Sequence, residues 1–280
     1  MMKIGVVDVG GGLRGIYAAG VFDYCMDENI KFDCCIGVSA GSANVASYLS
    51  GQRGRNYKFY TDYAFRNQYM GMGNLLRRGS YIDLDYVYGT LCNSGGESPY
   101  DYEAMTKNPA ELYIVAQEAV SGKTKYFTKD DIHRDDYRVL MASSCIPGVN
   151  RPYDIDGVKY YDGALGDPVP VQKAIDLGCD RVVVILTKPA DIIRTPGKDP
   201  LFASMIKRKY PVSARHLINR ADKYNRSVAV AREYAEKGRA LIVAPDNTEG
   251  VSTLSRDRQA LNRLYKKGYK DGAAIKKWLM

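Results

Sequence analysis

The chain has 280 residues, 45% hydrophobic and 26% charged, the composition of a folded globular protein with one large domain or one domain and an appendage. No run of about 18 apolar residues occurs, so no membrane-crossing helix is expected, and the start "MMKIGVVDVGGG" lacks the basic stretch, long apolar core and cleavage site of a secretory leader. The net charge of +8 is uneven: residues 188–280 carry +12 and residues 1–187 carry −4. The basic third suits a solvated helical surface or a face for anionic lipid, and no zinc-finger, RRM or KH signature points to nucleic acid. Cys25, Cys34, Cys35, Cys92, Cys145 and Cys179 contain no C-x-x-C pair, so zinc and thioredoxin-like readings fail, and reduced thiols in a cytoplasmic protein are expected.

In chain order, Lys3–Val9 reads as a short apolar strand, followed at once by "GGGLRG", Gly10–Gly15. A helix comes next, with Tyr17, Val21 and Tyr24 on one face. Phe32–Ile36 reads as a second strand running into the turn at Ser39, and Ala40–Leu49 as a helix of small residues. Residues 50–108, rich in Tyr and Arg, have no clean period and are expected to be helices and loops covering a site. "ELYIVAQEAVSGKTKYFT" predicts a hairpin turning near Ser121 and Gly122; its "SGKT" is no P-loop, because the first glycine that motif needs falls on Gln117. "DDYRVLMASSCIPGV" predicts a helix stopped by Pro147. Val158–Tyr161 reads as a strand, Val171–Leu177 as a helix and Arg181–Leu186 as an apolar strand. Strand and helix alternate through residue 187, so an α/β sandwich with a largely parallel sheet is expected. After a linker, Pro189–Pro200, the residues Leu217, Ala221, Tyr224, Val228, Ala231 and Ala235 mark one face of a long helix that Gly238 ends. "ALIVAP" predicts one more strand, and Arg256–Gly268 and Asp271–Leu279 closing helices.

Gly37, Ser39 and Gly41 form Gly-x-Ser-x-Gly between a predicted strand and a predicted helix. That is the pattern of a nucleophile elbow, in which small neighbours allow a sharp turn and the serine hydroxyl stands above a helix N-terminus. Gly10, Gly12 and Gly15 match G-x-G-x-x-G, which opens a rival reading as a dinucleotide-binding oxidoreductase. The acid that reading needs should end the next strand, whereas Asp33 begins it. In the other reading Gly11 and Gly12 aim backbone N–H groups at an oxyanion forming over Ser39.

A serine nucleophile needs a proton acceptor, and the chain has only two histidines. His133 lies in an acidic, turn-like stretch and His216 inside a basic helix; both read as surface or packing residues. Asp162 in "YYDGALG" is the better candidate. Gly163 lets the backbone turn, and Tyr160, Tyr161, Ala164 and Leu165 supply apolar surroundings that raise a carboxylate's basicity.

Taken together, G-G-G-x-R-G (Gly10–Gly15, with Arg14 at its basic position), G-x-S-x-G (Gly37–Gly41) and D-G-A (Asp162–Ala164) resemble, in order, the signatures of the patatin-like phospholipase family. "MASSCIPGV" resembles that family's Ala-Ser-x-x-x-Pro segment. The resemblance implies a three-layer α/β/α fold and a Ser39–Asp162 dyad without a catalytic histidine. It also implies hydrolysis of lipid acyl esters with no metal and no cofactor. Residues 1–190 are then expected to form the catalytic domain. Residues 191–280 resemble the helical C-terminal extension of a bacterial branch, and their Lys207, Arg208, Lys209 and Lys266, Lys267, Lys270 are candidate contacts to an anionic membrane. A catalytically silent lipid-binding module is the other reading that the motifs admit.

Overall fold

A computed structural model describes residues 2–280. The first half contains β1 (Ile4–Asp8), α1 (Ile16–Asp27), β2 (Cys34–Val38), α2 (Ala40–Leu49), α3 (Arg55–Thr61), α4 (Met72–Arg78), α5 (Tyr102–Lys107), β3 (Glu111–Glu118), β4 (Thr124–Phe127) and α6 (Arg138–Ser143). The second contains β5 (Tyr153–Ile155), β6 (Val158–Asp162), α7 (Gly163–Gly166), α8 (Val171–Asp176), β7 (Arg181–Ile185), α9 (Asp199–Ile206), α10 (Pro211–Ile218), α11 (Arg220–Glu236), β8 (Ala240–Val243), α12 (Arg258–Asp271) and α13 (Ala273–Leu279).

Alternate residues of the central strands feed two separate apolar cores. Val6, Cys35, Ile114, Val183 and Ile185 enter one, with α1, α2 and α12; Val7, Cys34, Ile36, Val115, Val182 and Val184 enter the other, with α8 and α11. Strands covered on both faces read as continuous apolar runs, which is why β1, β2 and β7 carry no exposed side. The result is a three-layer α/β/α sandwich. Its parallel core runs β3-β2-β1-β7-β8, with β4, β5 and β6 antiparallel at one side.

The register along β3 positions the site. β4 pairs with residues 114–117, so β2 and β6 must share the opposite edge. β2 occupies that edge up to Val38 opposite Val115, and β6 begins there with Asp162 opposite Ala116. The two strands therefore abut end to end, and the residue after Val38 meets the last residue of β6.

Several boundaries differ from the sequence expectation. The second strand starts two residues later than Phe32 and extends to Val38, delivering the chain directly to Ser39. The helix expected to run to Pro147 ends at Ser143. The single long helix expected from Leu217 is two, α10 and α11, separated at Asn219, while Ala221, Tyr224, Val228 and Ala231 are buried as the periodicity required. β5 was not foreseen: three residues are too few for a period, and its pairing with β6 depends on the turn at Asp156 and Gly157, whose φ values are 51° and 85°.

Residues 191–280 are tied into this frame. β8 extends the sheet beside β7. α12 lies so close to α1 that a Cβ on Gly20 would overlap the Tyr265 carbonyl, and one on Gly268 the Tyr17 carbonyl. Tyr17 donates to Asp271 at 2.8 Å and Tyr265 to Asp23 at 2.6 Å across the same contact. Lys267 is bound by Asp246 and Glu249, whereas Lys266 and Lys270 of the same cluster are exposed.

Candidate active site

Three segments converge beyond the ends of β1, β2 and β6. Ser39 joins β2 to α2 with φ 57° and ψ −130°, a conformation that L-residues rarely adopt and that marks a strained elbow. Gly37 and Gly41 make the turn possible by absence of side chain: a Cβ on the first would strike Ser42, and on the second the Asp8 carbonyl. The elbow is pinned from several sides. The Ser39 N–H donates to Ser143 Oγ at 2.9 Å, and Ser42 donates to the Ser39 carbonyl through its N–H at 2.9 Å and its Oγ at 2.6 Å.

Ser39 Oγ donates to Asp162 Oδ2 at 2.6 Å. Both residues are buried, at 6% and 2% exposure. The other carboxylate oxygen, Oδ1, accepts the Ala164 N–H at 2.8 Å and caps α7. Burial pushes the Asp162 carboxyl above the ordinary aspartate range, against the hydrogen bonds from Ser39 and Ala164 and the charges of Arg220 and Arg194. Gly163 must lack a side chain because its Cα faces the Val115 carbonyl. A carboxylate stripped of water and one hydrogen bond from a serine hydroxyl can accept that hydroxyl's proton.

The glycine loop lies alongside. Gly10, Gly11 and Gly12 have φ values of 64°, 125° and 61°, so all three need glycine's freedom. Gly10 N–H donates to Asp8 Oδ1 at 2.9 Å, and its carbonyl accepts Thr187 Oγ1. Leu13 N–H donates to the Thr253 carbonyl at 3.0 Å, and Arg14 Nη1 to Thr253 Oγ1 at 3.0 Å. Gly15 packs on the Tyr60 hydroxyl. Among the described residues, the N–H groups of Gly11 and Gly12 have no acceptor in the chain. Beneath the loop Asp8 is fully buried, bonded by Asn44 Nδ2 at 2.8 Å; burial raises its carboxyl to about 6 against the Asn44 and Gly10 hydrogen bonds.

Two cavities share Ser39, Gly12 and Ile146. One, about 60 Å³, is lined by Tyr60, Tyr69, Met70, Leu84, Val87 and Tyr88. The residue 50–108 region thus forms its walls. The other, about 510 Å³, is bordered by Asp162, Gly11, Arg14, Lys188, Arg194 and Arg220.

The remaining candidates lie elsewhere. His216 Nδ1 is bonded to Gln117 and its ring sits against Gly122, while His133 is an exposed residue bridged to Asp136. Asp33 accepts the Ile4 N–H at 2.7 Å, at the opposite end of the sheet from the glycine loop, so it cannot reach a ribose there. Among the described residues no three His, Cys, Asp or Glu side chains are grouped to hold a metal.

The patatin-like phospholipase family model matches residues 9–175, more than half of the chain, and takes in all three motifs. The chain is a member of the patatin-like phospholipase family. A domain family of unknown function, DUF6363, matches residues 210–279. The chain is 28% identical over 250 residues to the uncharacterized protein YjjU of Escherichia coli, covering 84% of this chain and 65% of that protein. It is 24% identical over 189 residues to the lysophospholipase NTE1 of Cryptococcus neoformans, covering 65% of this chain and 11% of that protein. The chain therefore spans less than two thirds of each of these relatives. The crystal structure of VipD from Legionella pneumophila shares the fold, with a TM-score of 0.57 at 12% identity over 98% of this chain and 67% of that one.

Sequence reasoning missed several residues at the site. Asp8 was visible only as a lone acid inside an apolar strand. Ser143 lies in the Ala-Ser-x-x-x-Pro segment, but nothing local told that its hydroxyl receives the Ser39 N–H. Thr187 and Thr253 carry no local signal; sheet pairing and the C-terminal segment bring them in.

Proposed function

We propose that the protein is a serine acyl hydrolase that cleaves carboxylic esters of lipids, with phospholipid or lysophospholipid as the substrate class. Ser39 Oγ attacks the ester carbonyl as Asp162 takes its proton. The N–H groups of Gly11 and Gly12 receive the oxyanion, and the N-terminus of α2 adds a favourable field. The alcohol leaves with the proton held by Asp162. Water, deprotonated by Asp162, then attacks the acyl-Ser39 ester, and Ser39 Oγ takes that proton from Asp162 as the fatty acid is freed. The scheme uses no histidine, metal or cofactor. The apolar cavity receives the carbonyl-proximal end of the acyl chain. Residues 1–190 hold the reacting groups, and residues 191–280 brace them through Thr253.

The observation that carries this reading is the 2.6 Å hydrogen bond between two buried residues, Ser39 and Asp162, beside a glycine loop with unused N–H groups. A fluorophosphonate probe tests it. Mass mapping should find the label on Ser39, and Ser39→Ala should abolish it. A folded protein that is labelled elsewhere, or not at all, would point to the silent lipid-binding module instead.

The reading extends to the lipid surface. Met72, Leu75 and Leu76 on α4 and Leu201 and Met205 on α9 are exposed, and Arg77, Lys207, Arg208 and Lys209 stand among them. Leu75, Met205 and Lys209 line one groove, so the two helices form a single apolar and basic rim. Such a rim suits an anionic membrane, where each cation contributes about 1 kcal/mol.

A further inference from the structure

The larger cavity at Ser39 carries more positive charge than the reaction at Ser39 uses. Arg14, Lys188, Arg194 and Arg220 all line it, and the first three also close a small recess behind Gly10 and Gly11. Of its two carboxylates, Asp162 is engaged by Ser39 and Ala164, and Asp199 takes both arms of Arg220, at 2.9 Å and 2.5 Å. Among the described residues, Arg14, Lys188 and Arg194 are left over at the inner wall, and a fifth cation, Lys198, stands exposed at the rim. Arg14 bonds the Thr253 hydroxyl and keeps a buried Nε without a partner. Arg194 lies over the Tyr224 ring, 5.4 Å from its centre. Burial, then repulsion from Arg14, Arg194 and Arg220, pushes the Lys188 ammonium down to about 8. Burial, then Arg220, brings Arg194 down to about 10.

Like charges held together away from water are unfavourable unless an anion shares them. Guanidinium forks match the paired oxygens of a phosphate, and an ammonium adds a point charge. Three inner cations with no free acid beside them suit a group whose charge approaches −2, which a phosphate monoester supplies, and Lys198 at the rim adds to the same field. The placement is equally specific. An ester whose acyl end enters the apolar cavity has the cationic one open to its alcohol part, because the two meet at Ser39.

We propose that Arg14, Lys188 and Arg194 form a subsite for a phosphate on the alcohol portion of the substrate, so that phosphate-bearing acyl esters are cleaved in preference to neutral ones. This specificity rests on the acyl-hydrolase reading. Lys188 and Arg194 follow β7, outside residues 9–175, so two of the three cations come from beyond the family match and Arg14 comes from the glycine loop within it.

Binding and turnover test it separately. Calorimetry on the full chain should show binding of glycerol 3-phosphate and none of glycerol. Lys188→Gln or Arg194→Gln should weaken that binding about tenfold or more, the size of a lost charged hydrogen bond, while Lys188→Arg retains it. For turnover, kcat/KM on a 1-acylglycerol 3-phosphate should exceed that on the 1-acylglycerol of the same chain length. The ratio should fall toward one in both Gln variants. If one Gln variant fails to fold, the other and Lys188→Arg decide the question. Absence of glycerol 3-phosphate binding, or a ratio that neither variant changes, overturns the proposal. Inorganic phosphate binding as tightly as glycerol 3-phosphate, with a turnover ratio of one, overturns it too and marks a site for the free anion. Loss of all ester turnover and of Ser39 labelling, with glycerol 3-phosphate binding still dependent on Lys188, sinks the hydrolase reading and leaves a phosphate-binding site.

Discussion

Replacing Asp162 by Asn separates its two jobs. The Ala164 N–H needs only a carbonyl-like oxygen at Oδ1, which the amide supplies, so the cap on α7 persists. At the Oδ2 position an NH₂ group then faces Ser39 Oγ, and the serine loses its proton acceptor. General-base catalysis contributes about 10²–10⁴ in rate, so kcat/KM should drop by that factor, about 3–5 kcal/mol in barrier. Stability should move differently. The folded-state carboxyl is raised by burial, so the aspartate holds its proton in the folded chain at pH values where the unfolded chain has released it. Its stabilising contribution is full below the unfolded value of about 4 and is lost as pH rises through the raised folded value. The Asn variant has no such loss. Relative to wild type it should gain stability as pH increases through that window, measured by urea unfolding at a series of pH values. Ester hydrolysis by wild type should rise with pH through the same raised value, because the base must be ionised. Asp162→Asn within fivefold of wild-type kcat/KM, on folded protein, would refute the assignment of Asp162 as base.

His133→Ala and His216→Ala should each keep most of the turnover; a loss in the general-base range of about 10²–10⁴ for either would move the proton acceptor away from Asp162. Gly12→Ala forces a side chain into a left-handed conformation, costing about 1–2 kcal/mol, and against the Thr253 carbonyl; Tm should fall by several degrees and the Ser39 labelling rate with it. Gly268→Ala must push α12 off α1, and chemical denaturation should show about 1–3 kcal/mol of lost stability, whereas an unchanged midpoint would contradict the close approach of these helices. Co-sedimentation with anionic vesicles should fall steeply with added salt and weaken when Lys207, Arg208 and Lys209 become Ala; equal partition onto neutral vesicles would remove the charge argument.

The motifs that were legible are local ones. Gly37, Ser39 and Gly41 encode a strand, a turn and a helix within one short stretch, and "GGGLRG" declares its left-handed backbone by composition. The alternation of strands and helices through residue 187 gave the layered sheet. What joins Ser39 to Asp162 is a different kind of information. It lies in the register of β2 and β6 on β3, and the two residues are 123 positions apart. No window of sequence contains it. The same holds for Lys188 and Arg194, whose neighbours are set by β7 pairing with β1 and by packing against α11. The split at Asn219 was hidden because α10 and α11 present apolar faces that continue one another in sequence while the chain bends between them.

Thr253 has a bearing on the order in which the protein is made. By the time residue 200 has been synthesised, Ser39, Asp162 and the glycine loop all exist as chain. The loop still lacks the carbonyl that accepts the Leu13 N–H and the hydroxyl that accepts from Arg14. α1 still lacks the helix that covers it. The glycine loop, held early by Asp8 and Thr187, therefore waits for a segment made much later before its hydrogen bonding is complete.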